Sequence, residues 1–146
     1  MWQESLKQAV ERLGGEVKFN EPLFKHSSFR IGGPAEVLVV ATNEAGLRVV
    51  REICQANQVR MSILGCGTNV LIPDQRIEGV VIKLGGEFTR VMVRGNEIYA
   101  GAGGLLDEIA NVAEAAGLTG AEFLAGIPGT VGGGLMSNAG AFGLSL

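Results

Sequence analysis

The sequence predicts an α+β fold in two lobes, a small β-α-β lobe followed by an antiparallel one, and three observations carry that prediction. The apolar runs Val37 to Ala41 and Met61 to Leu64 flank a helical pattern, so strand, helix and strand fall within about thirty residues, the length of a β-α-β unit. From Gly79 the pattern changes, and Val80 to Leu84, Phe88 to Val93 and Glu97 to Ala102 read as strands of an antiparallel meander. Glycine turns close the strands, and 12 of the 23 glycines lie between Gly101 and Gly143. The expected boundaries are 1–20 for an N-terminal helix and lead-in, 21–84 for the first lobe and 85–146 for the second, in which the final edge is expected to be truncated.

Taken in order, Leu6, Ala9, Val10 and Leu13 follow helical spacing after Trp2, and Gly14-Gly15 supplies the stop. Phe24 to Pro34 alternates aromatic and polar residues, ends in two glycines and a proline, and reads as an ordered loop. Val37 to Ala41 has the continuous apolar character of a strand buried on both faces. Thr42 or Asn43 can cap the next helix, whose buried stripe is Leu47, Val50, Ile53 and Cys54. Met61 to Leu64 is expected to be a second buried strand. Arg94-Gly95-Asn96 reads as a tight hairpin loop. Leu105, Leu106, Ile109, Ala113 and Ala116 then mark a helix with Asp107 and Glu108 near its start and Gly117 at its end.

Composition narrows the function. A chain of 146 residues, 47% of them hydrophobic, can bury a real core. The formal net charge is -3 and the basic residues are scattered, which argues against nucleic acid and acidic membranes as partners. No apolar run approaches the ~20 residues of a membrane span, so no membrane insertion is expected. Met1-Trp2-Gln3-Glu4 lacks the pattern of a signal peptide, and a cytoplasmic location is the expectation. Cys54 and Cys66 stand apart and His26 is the only histidine, so neither a metal site nor a disulfide framework is indicated. His26 reads as structural or solvent-facing, and Cys66 as a small packing residue.

The glycines themselves point to a ligand. Each glycine inside regular structure costs roughly 0.5 to 1 kcal/mol, so a dozen together approach the ~5 to 15 kcal/mol stability of a whole domain. Positive φ, close backbone approach or a bound anion would offset that cost, because consecutive N–H groups make anion-binding nests. Gly65-Cys66-Gly67-Thr68-Asn69 sits at the end of a strand, where ligands bind in α/β sheets. It misses the dinucleotide fingerprint, since Val70 occupies the place of the third glycine, and it lacks the G-K-[ST] of a P-loop. Gly101-Ala102-Gly103-Gly104 forms a second turn, and Gly117 to Gly134, running on to Gly143, forms a longer cradle. Arg30, beside Gly32-Gly33, reads either as a contact to cofactor or substrate or as half of a surface ion pair.

Four segments in order resemble the flavin domain of the UDP-N-acetylenolpyruvoylglucosamine reductase family: Ser28 to Ala35, Leu64 to Leu71, Gly101 to Gly103, and Gly126 to Gly133 with Asn138 to Gly143. Gly126-Ile127-Pro128-Gly129-Thr130-Val131-Gly132-Gly133 is also similar to flavin oxidases of the vanillyl-alcohol-oxidase class. The resemblance implies a PCMH-type FAD-binding domain, with FAD between the lobes and its diphosphate on backbone N–H groups. It implies cofactor contacts from Leu64, Gly65, Cys66, Gly67, Thr68, Asn69 and Val70, and from Gly101, Ala102 and Gly103. Further contacts are implied for Gly126, Ile127, Pro128, Gly129, Thr130, Gly132, Gly133, Asn138, Gly140 and Ala141. Thr68, Asn69, Thr130 and Asn138 are the side chains expected to add hydrogen bonds.

Family members use NADPH to reduce FAD, and the flavin then passes hydride to the enolpyruvyl group of a UDP-linked sugar. The serine, arginine and glutamate that assist are expected beyond Leu146, so no catalytic residue is placed on this chain. Phe142 departs from the tyrosine of many relatives. The glycine loop carries Thr68 and Asn69 where covalent flavoenzymes often place histidine, which implies non-covalent FAD. The chain alone is expected to bind FAD weakly and to show no turnover. A 2-hydroxy-acid oxidase or dehydrogenase domain and a non-catalytic cofactor-binding module remain the other readings.

Overall fold

The computed structural model describes residues 1–146 and divides into two compact units, Met1–Gly86 and Glu87–Leu146. The first unit opens with helix α1 (Trp2–Arg12), which buries Leu6 and Val10, one turn apart on a single face. Its sheet comprises β1 (Glu16–Pro22), β2 (Pro34–Ala41), β3 (Met61–Ile63) and β4 (Ile77–Leu84), in the order β1-β2-β4-β3. β1 runs antiparallel to β2, whereas β2 and β3 both run parallel to β4. Helix α2 (Glu44–Ala56) connects β2 to β3 and buries Gly46, Val50 and Cys54, with Leu47 and Ile53 half-buried. Asn43 is the cap: its Oδ1 accepts the Gly46 N–H at 2.8 Å, and its Nδ2 donates to the Leu13 carbonyl at 2.7 Å. One side chain therefore starts α2 and ties it to the end of α1. Leu23, Ala35, Leu38, Leu64, Ile72 and Val81 form a buried cluster in this unit.

Three expectations for this unit are corrected. Glu16–Pro22, assigned mostly to the lead-in, is a strand. Only Val17 in it is buried, so its alternation is nearly silent in sequence, as suits an edge strand. Ile77–Leu84 does not begin a meander; it lies between β2 and β3 and parallel to both. The consecutive burial of Gly79, Val80, Val81 and Ile82 reflects that central position. Met61–Ile63, expected to be buried, is the far edge of the sheet, and all three residues are exposed, Ile63 at 68%.

In the second unit β5 (Val91–Arg94) and β6 (Glu97–Ala100) form a hairpin with Arg94 opposite Glu97, closing where Arg94-Gly95-Asn96 predicts a turn. Phe88 lies in a 3-10 turn, Gly86–Thr89, rather than in the strand. Helix α3 (Leu106–Ala115) buries Leu106, Ala110 and Ala113. Leu106 and Ala110 cluster with Leu124, against which Ile127, Val131 and Ala139 pack. A 3-10 turn at Glu122–Leu124 leads to helix α4 (Val131–Ser137), then to a small hairpin of β7 (Gly140–Ala141) and β8 (Leu144–Ser145). The expected open cradle is thus helical over Gly132, Gly133 and Gly134. At Gly132 the reason is close approach, since a Cβ would lie 3.1 Å from both the carbonyl oxygen and the methyl of Ala102. No helix in either unit is long and apolar enough to cross a membrane.

Candidate cofactor-binding site

In the first unit the chain leaves the sheet at Leu64, whose N–H donates to the Ile82 carbonyl at 2.9 Å. Leu64 is buried, whereas Asn69 and Val70 are exposed. Between them Gly67 has φ +68, and a Cβ there would collide with the His26 carbonyl oxygen and lie 2.9 Å from Ser27 Cα. The Ser28 N–H donates to the Gly67 carbonyl at 2.9 Å, so residues 26–28 hold the loop from one side. The N–H groups of Gly65, Cys66, Gly67 and Asn69 donate to no acceptor in the protein. Four uncommitted donors on five consecutive residues are the makings of an anion nest.

The holding segment is itself anchored. His26 Nε2 lies 3.0 Å from Glu21 Oε1. That hydrogen bond is the largest influence on the Glu21 carboxyl, and with help from the charges of Lys25 and Lys18 it holds the group below the usual carboxylate range against the opposing pull of burial. A carboxyl depressed in the folded state stabilises the fold above its unfolded value and loses that contribution as pH falls through the folded one. Replacing Glu21 by glutamine is therefore expected to blunt the loss of thermal stability as pH drops below about 4.3, the ordinary glutamate value. Melts of both proteins across that window check it; equal slopes would show that the pair does not contribute.

The second unit brings Gly101–Gly103 and Gly129–Gly132 together. The Leu106 N–H donates to the Gly129 carbonyl at 3.1 Å, that of Val131 to Gly104 at 2.8 Å and that of Gly132 to Ala102 at 2.8 Å. The N–H groups of Gly101, Gly103 and Gly104 are taken by the carbonyls of Arg90, Phe88 and Gly101. At the start of α4 the Gly134 N–H donates to the Thr130 carbonyl at 2.8 Å and the Gly133 N–H to Thr130 Oγ1 at 3.2 Å. Donors expected to face a phosphate are therefore largely committed here; Ala102, Gly129 and Thr130 keep theirs. Thr130 Oγ1 accepts from Gly133 while its own proton remains available to donate. What this segment chiefly offers is a surface almost free of side chains.

Other expected residues divide. Ile127 packs against the Leu106 cluster, and Pro128 is exposed. Asn138 caps the end of α4 in a left-handed conformation, φ 50, and Gly140 and Ala141 belong to the terminal hairpin. Asp107 was legible only as an acidic residue near a helix start. Its Oδ1 in fact accepts the Gly126 N–H at 2.8 Å and anchors the beginning of the glycine segment. The role of Glu21 behind the first loop was equally invisible, because its partner, five residues on, lies beyond the end of its strand.

The paired glycine segments and the strand-end loop are features of a flavin-nucleotide binding domain. Residues 35–146 match the FAD binding domain family, and the chain belongs to it. Among individual proteins, it is similar to UDP-N-acetylenolpyruvoylglucosamine reductase of Caldanaerobacter subterraneus subsp. tengcongensis, at 44% identity over 96% of this chain and 45% of the relative. The Bacillus subtilis protein of that name is 38% identical over 94% of this chain and 46% of its own length. A solved structure of UDP-N-acetylenolpyruvylglucosamine reductase from Thermus caldophilus superposes with a TM-score of 0.69 at 32% identity, covering 90% of this chain and 44% of that one. The chain spans about half the length of the curated relatives it matches.

Proposed function

We propose that this chain is the flavin-binding half of a UDP-N-acetylenolpyruvoylglucosamine reductase, holding FAD non-covalently for the NADPH-dependent reduction of a UDP-linked enolpyruvyl sugar in the cytoplasm. The observation that carries the reading is the loop at Gly67: four N–H groups without acceptors, around a glycine whose neighbours leave no room for a Cβ. These residues fit a dinucleotide, since oriented N–H dipoles can balance a diphosphate without a lysine. In the same reading Gly101 to Gly103 and Gly126 to Gly133 provide the close backbone approach that a planar ring or ribose needs, and Thr130 adds a hydroxyl donor. Leu64 sets the loop against the core, half-buried Cys66 follows it, and Asn69 offers an exposed amide. Bound flavin would supply hydride transfer; the chain's own part is to bind it and orient it.

Two measurements test the proposal. Titrating the purified chain with FAD is expected to quench flavin fluorescence saturably, and acid precipitation is expected to leave the colour in the supernatant. A yellow pellet would overturn non-covalent attachment, and absence of saturable binding would overturn the cofactor assignment. The chain alone is also expected to leave NADPH unoxidised in the presence of the enolpyruvyl sugar.

A further inference from the structure

The loop at Gly67 does not act alone, because the segment before β2 runs beside it and carries a cation with no partner. The Ser28 N–H donates to the Gly67 carbonyl at 2.9 Å, and the Gly33 N–H donates to the Pro73 carbonyl at 2.8 Å. Arg30 lies between these two ties. It is exposed, and its backbone is left-handed at φ 53, a conformation that costs a residue with a Cβ roughly 1 to 2 kcal/mol. Strain of that kind persists where the surrounding structure holds a side chain in a required place. The salt bridges of the chain are Lys18–Glu16, His26–Glu21, Arg48–Glu44 and Arg76–Glu36, so Arg30 belongs to none of them. Of the carboxylates on the adjoining segments, Glu21 is engaged by His26, and Asp74, next to the Pro73 tie, is in none of these salt bridges. The same segment holds Ser27, only 8% exposed, whose Oγ has no hydrogen-bond partner. An orphaned buried hydroxyl is uncommon enough to require a reason.

We infer that Arg30 is the cationic partner of the cofactor's diphosphate, completing with the N–H groups of Gly65, Cys66, Gly67 and Asn69 a site that presents donors and no acceptor carboxylate. The inference rests on the flavin reading of this loop and adds to it a side-chain charge where sequence and fold alone indicate backbone dipoles. A guanidinium on phosphate makes a charge-assisted bond, and at an exposed site its attraction is screened by salt.

The test compares the full chain with Arg30→Gly and Arg30→Lys, titrating each with FAD, with riboflavin and with inorganic pyrophosphate. Arg30→Gly is expected to bind FAD roughly tenfold more weakly, with riboflavin binding unchanged. It should also lose most of the salt dependence seen between about 0.05 and 0.5 M. Because glycine tolerates positive φ, its thermal midpoint without ligand should be unchanged or higher, so affinity and stability move apart. Arg30→Lys should restore part of the affinity and the salt dependence. Equal FAD affinity and salt dependence in Arg30→Gly and the parent would overturn the inference while leaving the flavin reading intact. A parent chain that binds pyrophosphate but not FAD would overturn the flavin reading, and the Arg30→Gly effect on pyrophosphate would then decide the inference. Binding of neither would overturn both.

Discussion

Replacing Gly67 by valine is expected to abolish FAD binding and to destabilise the first unit by several kcal/mol. Two costs add. The left-handed backbone, φ +68, penalises a Cβ by about 1 to 2 kcal/mol, and a β-branched side chain fits it worse still. The Cβ would also meet the His26 carbonyl oxygen and Ser27 Cα, backbone atoms that no rotamer change can move aside. Relieving the collision must break the Ser28 to Gly67 hydrogen bond or shift the loop, with an overpacking cost of about 1 to 3 kcal/mol. Against a total stability of ~5 to 15 kcal/mol the sum is large. Gly95→Ala separates the two terms, because Gly95 has φ +61 but nothing within 4 Å of its Cβ position. Its expected cost is about 1 to 2 kcal/mol, the strain alone. Thermal melts and FAD titrations of both variants check this, and a Gly67→Val protein that binds and melts like the parent would show that the loop is not held as described.

Saturating FAD is expected to stabilise the chain by ~4 kcal/mol at a free concentration ~1,000 times its dissociation constant, by mass action on the folded state. For a chain of this size that corresponds to a rise of roughly 10 °C in thermal midpoint. At the same free concentration the effect should be largest for FAD and much smaller for riboflavin, whose dissociation constant is expected to be higher because it has no diphosphate to engage the uncommitted N–H groups of Gly65, Cys66, Gly67 and Asn69. A midpoint that does not move with added FAD, or moves equally with riboflavin, would remove the diphosphate from the account. Weak binding changes only the concentration needed, not the expected shift at a fixed multiple of the dissociation constant.

Much of the local structure was legible. The span of α1, the start of α2, the hairpin loop Arg94-Gly95-Asn96 and the start of α3 follow from helical spacing, capping residues and glycine, all of which act within a few residues. The loop at Gly67 was legible for the same reason, as a glycine turn directly after a strand. Strand neighbours were not. Met61–Ile63 and Ile77–Leu84 are both apolar, yet one is an exposed edge and the other lies in the middle of the sheet. That difference lies in pairing across more than a dozen residues of intervening chain, which hydrophobic pattern does not encode.

The cradle shows the same division within one motif. Its glycine content announced close backbone approach, and Gly132 against Ala102 is such an approach, but between parts of the chain itself rather than only toward a ligand. Asp107 and Glu21 escaped notice because their partners, Gly126 and His26, are chosen by the fold. By itself the sequence determined where α1, α2 and α3 run, where the chain turns at Gly65 and at Arg94-Gly95-Asn96, and that two glycine-rich regions must meet something closely; each depends on local backbone preference and periodicity. Only the tertiary structure decided which strand pairs with which, and which N–H groups remain unspent, those of Gly65, Cys66, Gly67 and Asn69 far more than those of Val131 to Gly134. A donor's availability depends on whether a distant acceptor has already reached it.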